Sequence, residues 1–124
     1  MKIVLRKMGM DFMSYYSGSS DVGNYRVRAE FTDKNGMVVV VDFGGYERKE
    51  SYKKKNGKTD YRTVNKNALH VDGCYRDSDG TGRDYAYFLK NNGFDFTKYD
   101  FTIEGILQFL SDVTEREFTE IEFV

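Results

Sequence analysis

Two β-type segments joined by an Asn-Gly pair constrain this chain more than any other stretch. Residues 24–31, NYRVRAEF, alternate between apolar or aromatic and charged side chains, and a period of two predicts a half-buried strand. Asn35-Gly36 supplies residues that tolerate the positive φ of a tight hairpin. The segment 37–43, MVVVVDF, is apolar on both faces, which predicts a central strand ended by Gly44-Gly45. The fold must therefore be built around a sheet.

The remaining β-type segments are shorter or more polar. Residues 1–7 predict another strand, and residues 68–73, ALHVDG, predict a short one. Residues 46–64 have the pattern of a second hairpin that turns at Asn56-Gly57. Because this hairpin is too polar to be buried, we expect it to project from the sheet or to lie at its edge. Residues 14–23, SYYSGSSDVG, have the composition of a loop.

The pattern changes after residue 82. Residues 83–93 predict a helix of about ten residues that Asn92-Gly93 ends. Residues 101–113 predict a second helix, capped by Thr102 and carrying an apolar stripe. Residues 116–124 alternate again and predict a final strand that rejoins the sheet.

These elements predict an α+β fold. We expect a single antiparallel β-sheet of about five or six strands, with a projecting basic β-hairpin, packed on one face by two C-terminal helices and ending in a C-terminal strand. The 124 residues contain no proline and no linker, so residues 1–124 form a single domain. The one cysteine excludes an internal disulfide and a cysteine-based zinc site. With no apolar run long enough for a signal peptide or a membrane span, we expect a cytoplasmic protein with no membrane partner.

Residues 76–85, RDSDGTGRDY, are the stretch whose residue types come closest to chemistry. Asp77, Asp79 and Gly82 match the first half of a calcium-binding loop, but its twelfth position holds Phe88 instead of Glu. The letters DSDGT also resemble the motif of the haloacid-dehalogenase phosphatases, which would make Asp77 a nucleophile and Asp79 a general acid beside Mg²⁺. In that family the motif ends a buried strand near the start of a much longer chain, so we do not assign the family. We interpret the stretch as a polar turn before a helix, with Asp77, Asp79 and Asp84 as weak metal candidates for a Ca²⁺-binding or hydrolytic alternative.

No other motif favours an enzyme. His70, Asp72 and Cys74 are spaced two apart and would share one face of a strand, but neighbours at that spacing lie nearly 7 Å apart. That separation is too large for the hydrogen bonds of a Cys–His–Asp nucleophile. The sequence DFGGYE lacks the further glycine and the helix that a phosphate-binding or dinucleotide-binding loop needs. We therefore expect a protein with no catalytic residue and no cofactor.

The charges divide along the chain. Residues 1–70 contain 14 Lys and Arg against 8 Asp and Glu, and residues 71–124 contain 5 against 12. In the first half, cations interleave with tyrosines, a composition suited to the phosphates and bases of single-stranded nucleic acid. The predicted basic binding residues are Arg26, Arg28, Tyr52, Lys53, Lys54, Lys55, Lys58, Tyr61 and Arg62.

The C-terminal half offers a surface of opposite sign. Its carboxylates could bind an Arg- and Lys-rich protein partner, and the candidates are Glu115, Glu117, Glu120 and Glu122. Our first hypothesis is a non-enzymatic, protein-binding inhibitor or accessory module of the kind carried by phages or plasmids, for example an anti-CRISPR-like inhibitor. The alternative is a single-stranded nucleic-acid-binding module that uses the basic hairpin. The sequence leaves open which surface works and whether the final strand completes this sheet or pairs with a second subunit.

Overall fold

The computed structural model describes residues 1–7, 27–76 and 80–124. In these ranges the chain forms β1 (Lys2–Lys7), β2 (Val27–Thr32), β3 (Val38–Lys53), β4 (Thr59–Arg76), β5 (Gly82–Asp84), α1 (Tyr85–Asn91), a short 3₁₀ turn (Phe96–Lys98), α2 (Ile103–Thr114) and β6 (Glu120–Phe123). The loop predicted at 14–23 lies outside the described residues.

One mixed sheet contains all of these strands, in the order β5-β4-β3-β2-β1-β6. Neighbouring strands are antiparallel except β1 and β6, which run parallel with Leu5 opposite Phe123. The prediction of a wholly antiparallel sheet is therefore wrong at this pair. Alternation in 116–124 indicates a strand but not its direction, which depends on the path of the chain through the preceding helices. The final strand completes this sheet, so the structure answers a question that the sequence left open.

The core lies between one face of the sheet and the two helices. Alternate strand residues point into it, and those with no solvent exposure are Leu5, Val27, Ala29, Val39, Val41 and Phe43. The helices add Tyr85 and Leu89 from α1 and Ile106, Phe109, Leu110 and Val113 from α2, all in the same hydrophobic cluster. Val4 and Val38 point to the opposite face of the sheet, and their side chains are exposed, at 50% and 54%. The predicted α+β layering, with helices on one face, is confirmed.

The strands β3 and β4 are much longer than the sequence predicts. Gly44-Gly45 does not end β3, which continues to Lys53, and the predicted strand at 68–73 is only the last part of β4. Gly45 is required for close packing: a Cβ there would lie 2.7 Å from Asn67 Oδ1 and 2.9 Å from Phe101 Cδ2. Gly45 therefore makes room for Asn67 and Phe101, and the strand continues through both glycines.

The helix ends largely follow their sequence signals. The Asp84 carboxylate accepts a hydrogen bond from the amide of Tyr87 at the start of α1, and Thr102 caps α2 through the amide of Gly105. Gly93, with a φ of 82°, follows the end of α1. The three-residue strand β5 was not predicted, and it shortens the expected first helix at its N-terminal end. Among the described residues, no helix combines the length and the apolar character needed to cross a membrane.

Candidate binding site: the β3–β4 arm

The outer halves of β3 and β4 form an arm, which we define as residues 49–63. Every residue of the arm is exposed except Asp60, which is half-buried. The pairing is regular from Lys49 opposite Thr63 to Lys53 opposite Thr59, and it makes a two-stranded ribbon. The arm contributes nothing to the hydrophobic core. The predicted projecting hairpin is therefore present, and its strands are continuous with the sheet.

Irregular pairing and side-chain hydrogen bonds hold the base of the arm. The register shifts twice between Tyr46 and Lys49, each time with an extra residue in β4, and such bulges bend a ribbon. Asn65 Nδ2 donates to Asp100 Oδ1 at 2.6 Å, and Asn67 Nδ2 donates to the carbonyl of Phe101 at 3.0 Å. These bonds join the base to the segment that precedes α2, so the direction of the arm is tied to the body of the domain.

The tip of the arm is a turn closed by backbone hydrogen bonds. The amide of Lys54 donates to the carbonyl of Lys58, and the amide of Gly57 donates to that of Lys54, both at 2.9 Å. Gly57 has a φ of 81°, which a side chain would strain. The Asn56 side chain accepts the amide of Lys58. The loop is thus longer than a two-residue Asn-Gly turn, and this length decides the register of the arm.

One face of the arm, which we call the paired face, contains ion pairs between neighbouring side chains. The Lys54 ammonium lies 3.0 Å from Asp60 Oδ2, and Arg48 Nη1, just below the arm, lies 3.2 Å from Glu50 Oε1. The Arg62 guanidinium lies over the ring of Tyr52, 5.5 Å from its centroid. Asp60 accepts hydrogen bonds from the Tyr61 amide and the Lys54 ammonium, and these lower its pKa below the ordinary value. Arg62 has no carboxylate within 4.0 Å among the described residues, so this face keeps part of its positive charge, but its lysine is ion-paired.

The opposite face, which we call the lysine face, contains cations that form no ion pair among the described residues. Strand alternation places on it Lys49, Ser51, Lys53, Thr59, Tyr61 and Thr63. Among the described residues, neither Lys49 nor Lys53 lies within 4.0 Å of a carboxylate. The carboxylate at the foot of this face, Glu47, accepts a hydrogen bond from Thr63. Lysine charge and an exposed ring therefore occur together on this side of the arm.

The two tyrosines of the arm differ sharply in accessibility. Tyr61 is 65% exposed and lies opposite Ser51, whose small side chain leaves the ring uncovered. Tyr52 is 36% exposed and is covered by Arg62. The sequence predicted both as contact residues, but only Tyr61 has a ring available to a partner.

The structure divides the predicted basic site. Seven of the predicted residues lie on the arm, where they are divided between its two faces and its tip: Tyr52, Lys53, Lys54, Lys55, Lys58, Tyr61 and Arg62. Arg28 lies apart from them, opposite Asp42 and roughly 23 Å along β3 from Lys49. Its Nε and Nη2 donate to both carboxylate oxygens of Asp42, at 2.8 and 3.3 Å. Arg28 therefore stabilises the sheet, and Arg26 lies outside the described residues.

The predicted acidic surface is partly neutralised by lysines of the first half of the chain. Glu122 pairs with Lys2 at 3.1 Å, and Glu115 lies 3.9 Å from Lys34. The Glu122 carboxylate raises the pKa of the Lys2 ammonium, chiefly through their hydrogen bond. Glu117 and Glu120 are exposed. The carboxylates thus do not form an uncompensated row, in contrast to the lysine face.

Those residues weighed for chemistry that the structure describes lie on β4 and at the end of β5, where Cys74 is opposite Asp84. Asp84 caps α1, and Asp77 and Asp79 lie outside the described residues. His70, Asp72 and Cys74 lie along one side of β4, and the His70 ring packs edge-on against Tyr46 with centroids 5.9 Å apart. In the described part of the chain, no three His, Cys, Asp or Glu residues are placed to hold a metal ion.

A cavity of about 310 Å³ lies between the β2–β3 turn and the helices. Asp33 and Asp112 line it, but both carboxylates are already used inside the protein. Asp33 accepts hydrogen bonds from the amides of Asn35 and Met37 and from the Tyr85 hydroxyl. Asp112 accepts from the Tyr99 hydroxyl and from Gln108. The cavity therefore offers a ligand little uncommitted charge.

Lys49 belongs to the lysine face although it is not among the basic residues predicted from the sequence. Strand alternation could have indicated it, because residues 49 and 53 are an even number of positions apart in one strand and must point to the same side. Alternation alone does not show which residues of the partner strand share that side.

Comparison with known proteins adds no assignment. No family model matches this chain, and neither a curated protein nor a solved structure shows significant similarity to it.

Proposed function

We propose that this chain is a non-enzymatic binding protein that engages a negatively charged partner through the lysine face of the arm. The observation that carries the proposal is the contrast between the two faces. Lys54 has an acidic partner on the paired face, whereas Lys49 and Lys53 have none within 4.0 Å among the described residues. A module bound in this way covers the charged surface of its partner, which is how an inhibitor or accessory protein acts.

Electrostatics supports the use of this face. An ion-paired lysine presents almost no net charge to a distant molecule, while an unpaired lysine attracts anions out to the Debye length of about 8 Å at physiological salt. The arm also holds its charges apart from the acidic C-terminal half, since hydrogen bonds at its base, from Asn65 and Asn67, join it to the segment before α2. Lys55 and Lys58 at the tip are exposed and add positive charge to the arm.

The acidic residues support a protein-binding role less well. Lys2 and Lys34 already pair with two of the four predicted carboxylates. A cationic partner would have to compete with those lysines, although exposed pairs of this kind are worth only about 0–1 kcal/mol each and are a small barrier. The stronger uncompensated charge is positive and lies on the arm.

The first prediction concerns capture of the partner. Lysate is passed over the immobilised protein, with and without nuclease treatment, and bound material is eluted with salt. We expect the wild-type protein to retain a polyanionic partner that elutes as salt rises, because screening weakens exposed charge contacts. The Lys49→Glu, Lys53→Glu variant should retain none of it.

A matched variant separates the arm from net charge. Lys90→Glu with Lys98→Glu reverses two exposed lysines elsewhere and should leave retention unchanged. Equal losses in the two double variants would refute a specific role for the lysine face. Loss after reversal of Glu120 and Glu122, with the arm variant unaffected, would assign the activity to the acidic strand.

A further inference from the structure

We infer that the partner of the lysine face is single-stranded nucleic acid, with an unpaired base stacked on Tyr61 and phosphates bound by Lys49 and Lys53. This inference rests on the proposed function and names its partner. The carrying observation is the placement of a bare aromatic ring between two lysines that have no acidic partner. Tyr61 is 65% exposed and, among the described residues, makes no ring contact.

The register of the arm sets the spacing of these groups. Tyr61 lies opposite Ser51, so Lys49 and Lys53 are its two diagonal neighbours on the same face. Diagonal neighbours in an antiparallel pair lie roughly 7–8 Å apart, and the two lysines are separated by about 13 Å along β3. A strand whose base stacks on the ring therefore passes a lysine on either side of it.

The exposed ring of Tyr61 favours single-stranded nucleic acid over other polyanions. An acidic peptide would use the lysines but would leave the exposed ring with no complementary group. In a duplex, the faces of the bases are already stacked on one another, so a ring on a two-stranded ribbon meets only base edges and the backbone. An unpaired base offers its face directly, and stacking of this kind tolerates any base sequence.

The neighbouring side chains are small and fit this role. Ser51, Thr59 and Thr63 surround the ring on the lysine face, and none is bulky enough to cover it. Thr63 is engaged with Glu47, which keeps that carboxylate at the foot of the arm. The residues of the regular ribbon that share this face with Lys49 and Lys53 include no carboxylate, and Glu47 lies at its foot.

Fluorescence anisotropy with a labelled oligothymidine of about 12 nucleotides tests the inference. Titrations are run at several salt concentrations between about 50 and 200 mM, with a duplex of the same length as comparison. We expect the single strand to bind more tightly than the duplex. Tyr61→Ala should weaken binding roughly 5- to 150-fold, the range expected for one stacked base, while Tyr61→Phe should retain it.

Further variants in the β3–β4 arm supply a control for the ring and a test of the phosphate contacts. Tyr52→Ala removes a ring that Arg62 already covers and should change the affinity less than twofold. Lys49→Ala and Lys53→Ala should each reduce the slope of log affinity against log salt by about 0.7, the value for one phosphate contact on a single strand. Circular dichroism confirms that each variant keeps its fold.

The outcomes separate this inference from the proposed function. If poly-glutamate binds through Lys49 and Lys53 while the oligonucleotide does not, the nucleic-acid partner is refuted and the binding face survives. If Tyr61→Ala binds like the wild type while the lysine variants weaken, stacking is refuted. If no polyanion responds to either lysine, both proposals fail.

Discussion

Gly105 lies in the first turn of α2, where the backbone of Asp100 passes against it. A Cβ at this position would lie 1.9 Å from the Asp100 carbonyl oxygen, far inside van der Waals contact. By intrinsic helix propensity alone, a glycine destabilises a helix by about 1 kcal/mol relative to alanine. Here its absent side chain allows the chain that anchors the base of the arm to pack directly on the helix.

The residue-scale prediction is that Gly105→Ala destabilises the protein. The gain in helix propensity is outweighed by the clash, and we expect a net loss of about 2–3 kcal/mol in the free energy of unfolding. Urea unfolding followed by circular dichroism measures it. Gly82→Ala is the matched control, because the nearest atom to its added Cβ is Cys74 Sγ at 4.0 Å. Equal stability of the two variants would contradict the packing argument.

Two buried tyrosine hydroxyls connect elements that are distant in sequence. Tyr85 of α1 donates to Asp33 in the β2–β3 turn at 3.0 Å, and Tyr99 donates to Asp112 of α2. Burial is the main cause that raises the pKa of both hydroxyls above the ordinary value, and the neighbouring carboxylates raise it further. The helices are thus fixed to the rest of the fold by groups that must stay protonated.

The element-scale prediction follows from that shift. In the unfolded chain these hydroxyls ionise near pH 10, whereas in the folded chain they hold their protons to higher pH. Their contribution is therefore complete below about pH 10 and falls above it by about 1.4 kcal/mol per pH unit for each tyrosine. Urea unfolding at pH values from about 9 to 11 measures this slope. Tyr85→Phe should be less stable near neutral pH but lose stability less steeply above pH 10, and an unchanged slope would refute the assignment.

The register of the arm shows why the candidate site was only partly predictable. A two-residue turn at Asn56-Gly57 would place Tyr52 opposite Tyr61, with both rings on one face. The structure closes the turn from Lys54 to Lys58 instead, so Tyr61 pairs with Ser51 and Tyr52 with Asp60. A slip of one residue moves every side chain of a strand to the other face. The basic composition was readable from the sequence, but the division into a paired face and a lysine face was not.

The turn between β2 and β3 illustrates the same limit on a smaller scale. Asn35-Gly36 predicts a hairpin, and the hairpin forms, but Asn35 does not adopt a positive φ. Asp33 organises the turn by accepting the amides of Asn35 and Met37 at 2.9 Å each. Gly36 alone takes the left-handed conformation, with a φ of 80°.

At the scale of the whole molecule, the proposed binding surface lies outside the part that forms the core. Core residues come from the sheet and helices, whereas the arm is exposed on both faces. Removal of the arm should therefore abolish binding without unfolding the domain. The variant joins Arg48 to Val64 through an Asn-Gly linker and omits residues 49–63.

We expect the midpoint of its thermal unfolding to stay within about 4 °C of the wild type, which corresponds to roughly 1 kcal/mol for a domain of this size. Differential scanning calorimetry measures the midpoint, and anisotropy with the oligothymidine measures the loss of binding. A shift of roughly 10 °C or more would show that the arm stabilises the body. Retained binding would place the working surface elsewhere.

The sequence by itself determined the local structure of this protein. Alternation in 27–32, the apolar run at 38–43, and the caps at Asp84 and Thr102 each lie within a few neighbouring residues, so they can be recognised without the fold. Tertiary structure alone decided the parallel pairing of β1 with β6 and the continuation of β3 past Gly45. It also decided which lysines of the arm meet a carboxylate. These features depend on register and on the approach of segments far apart in the chain, and no local pattern of side chains encodes either.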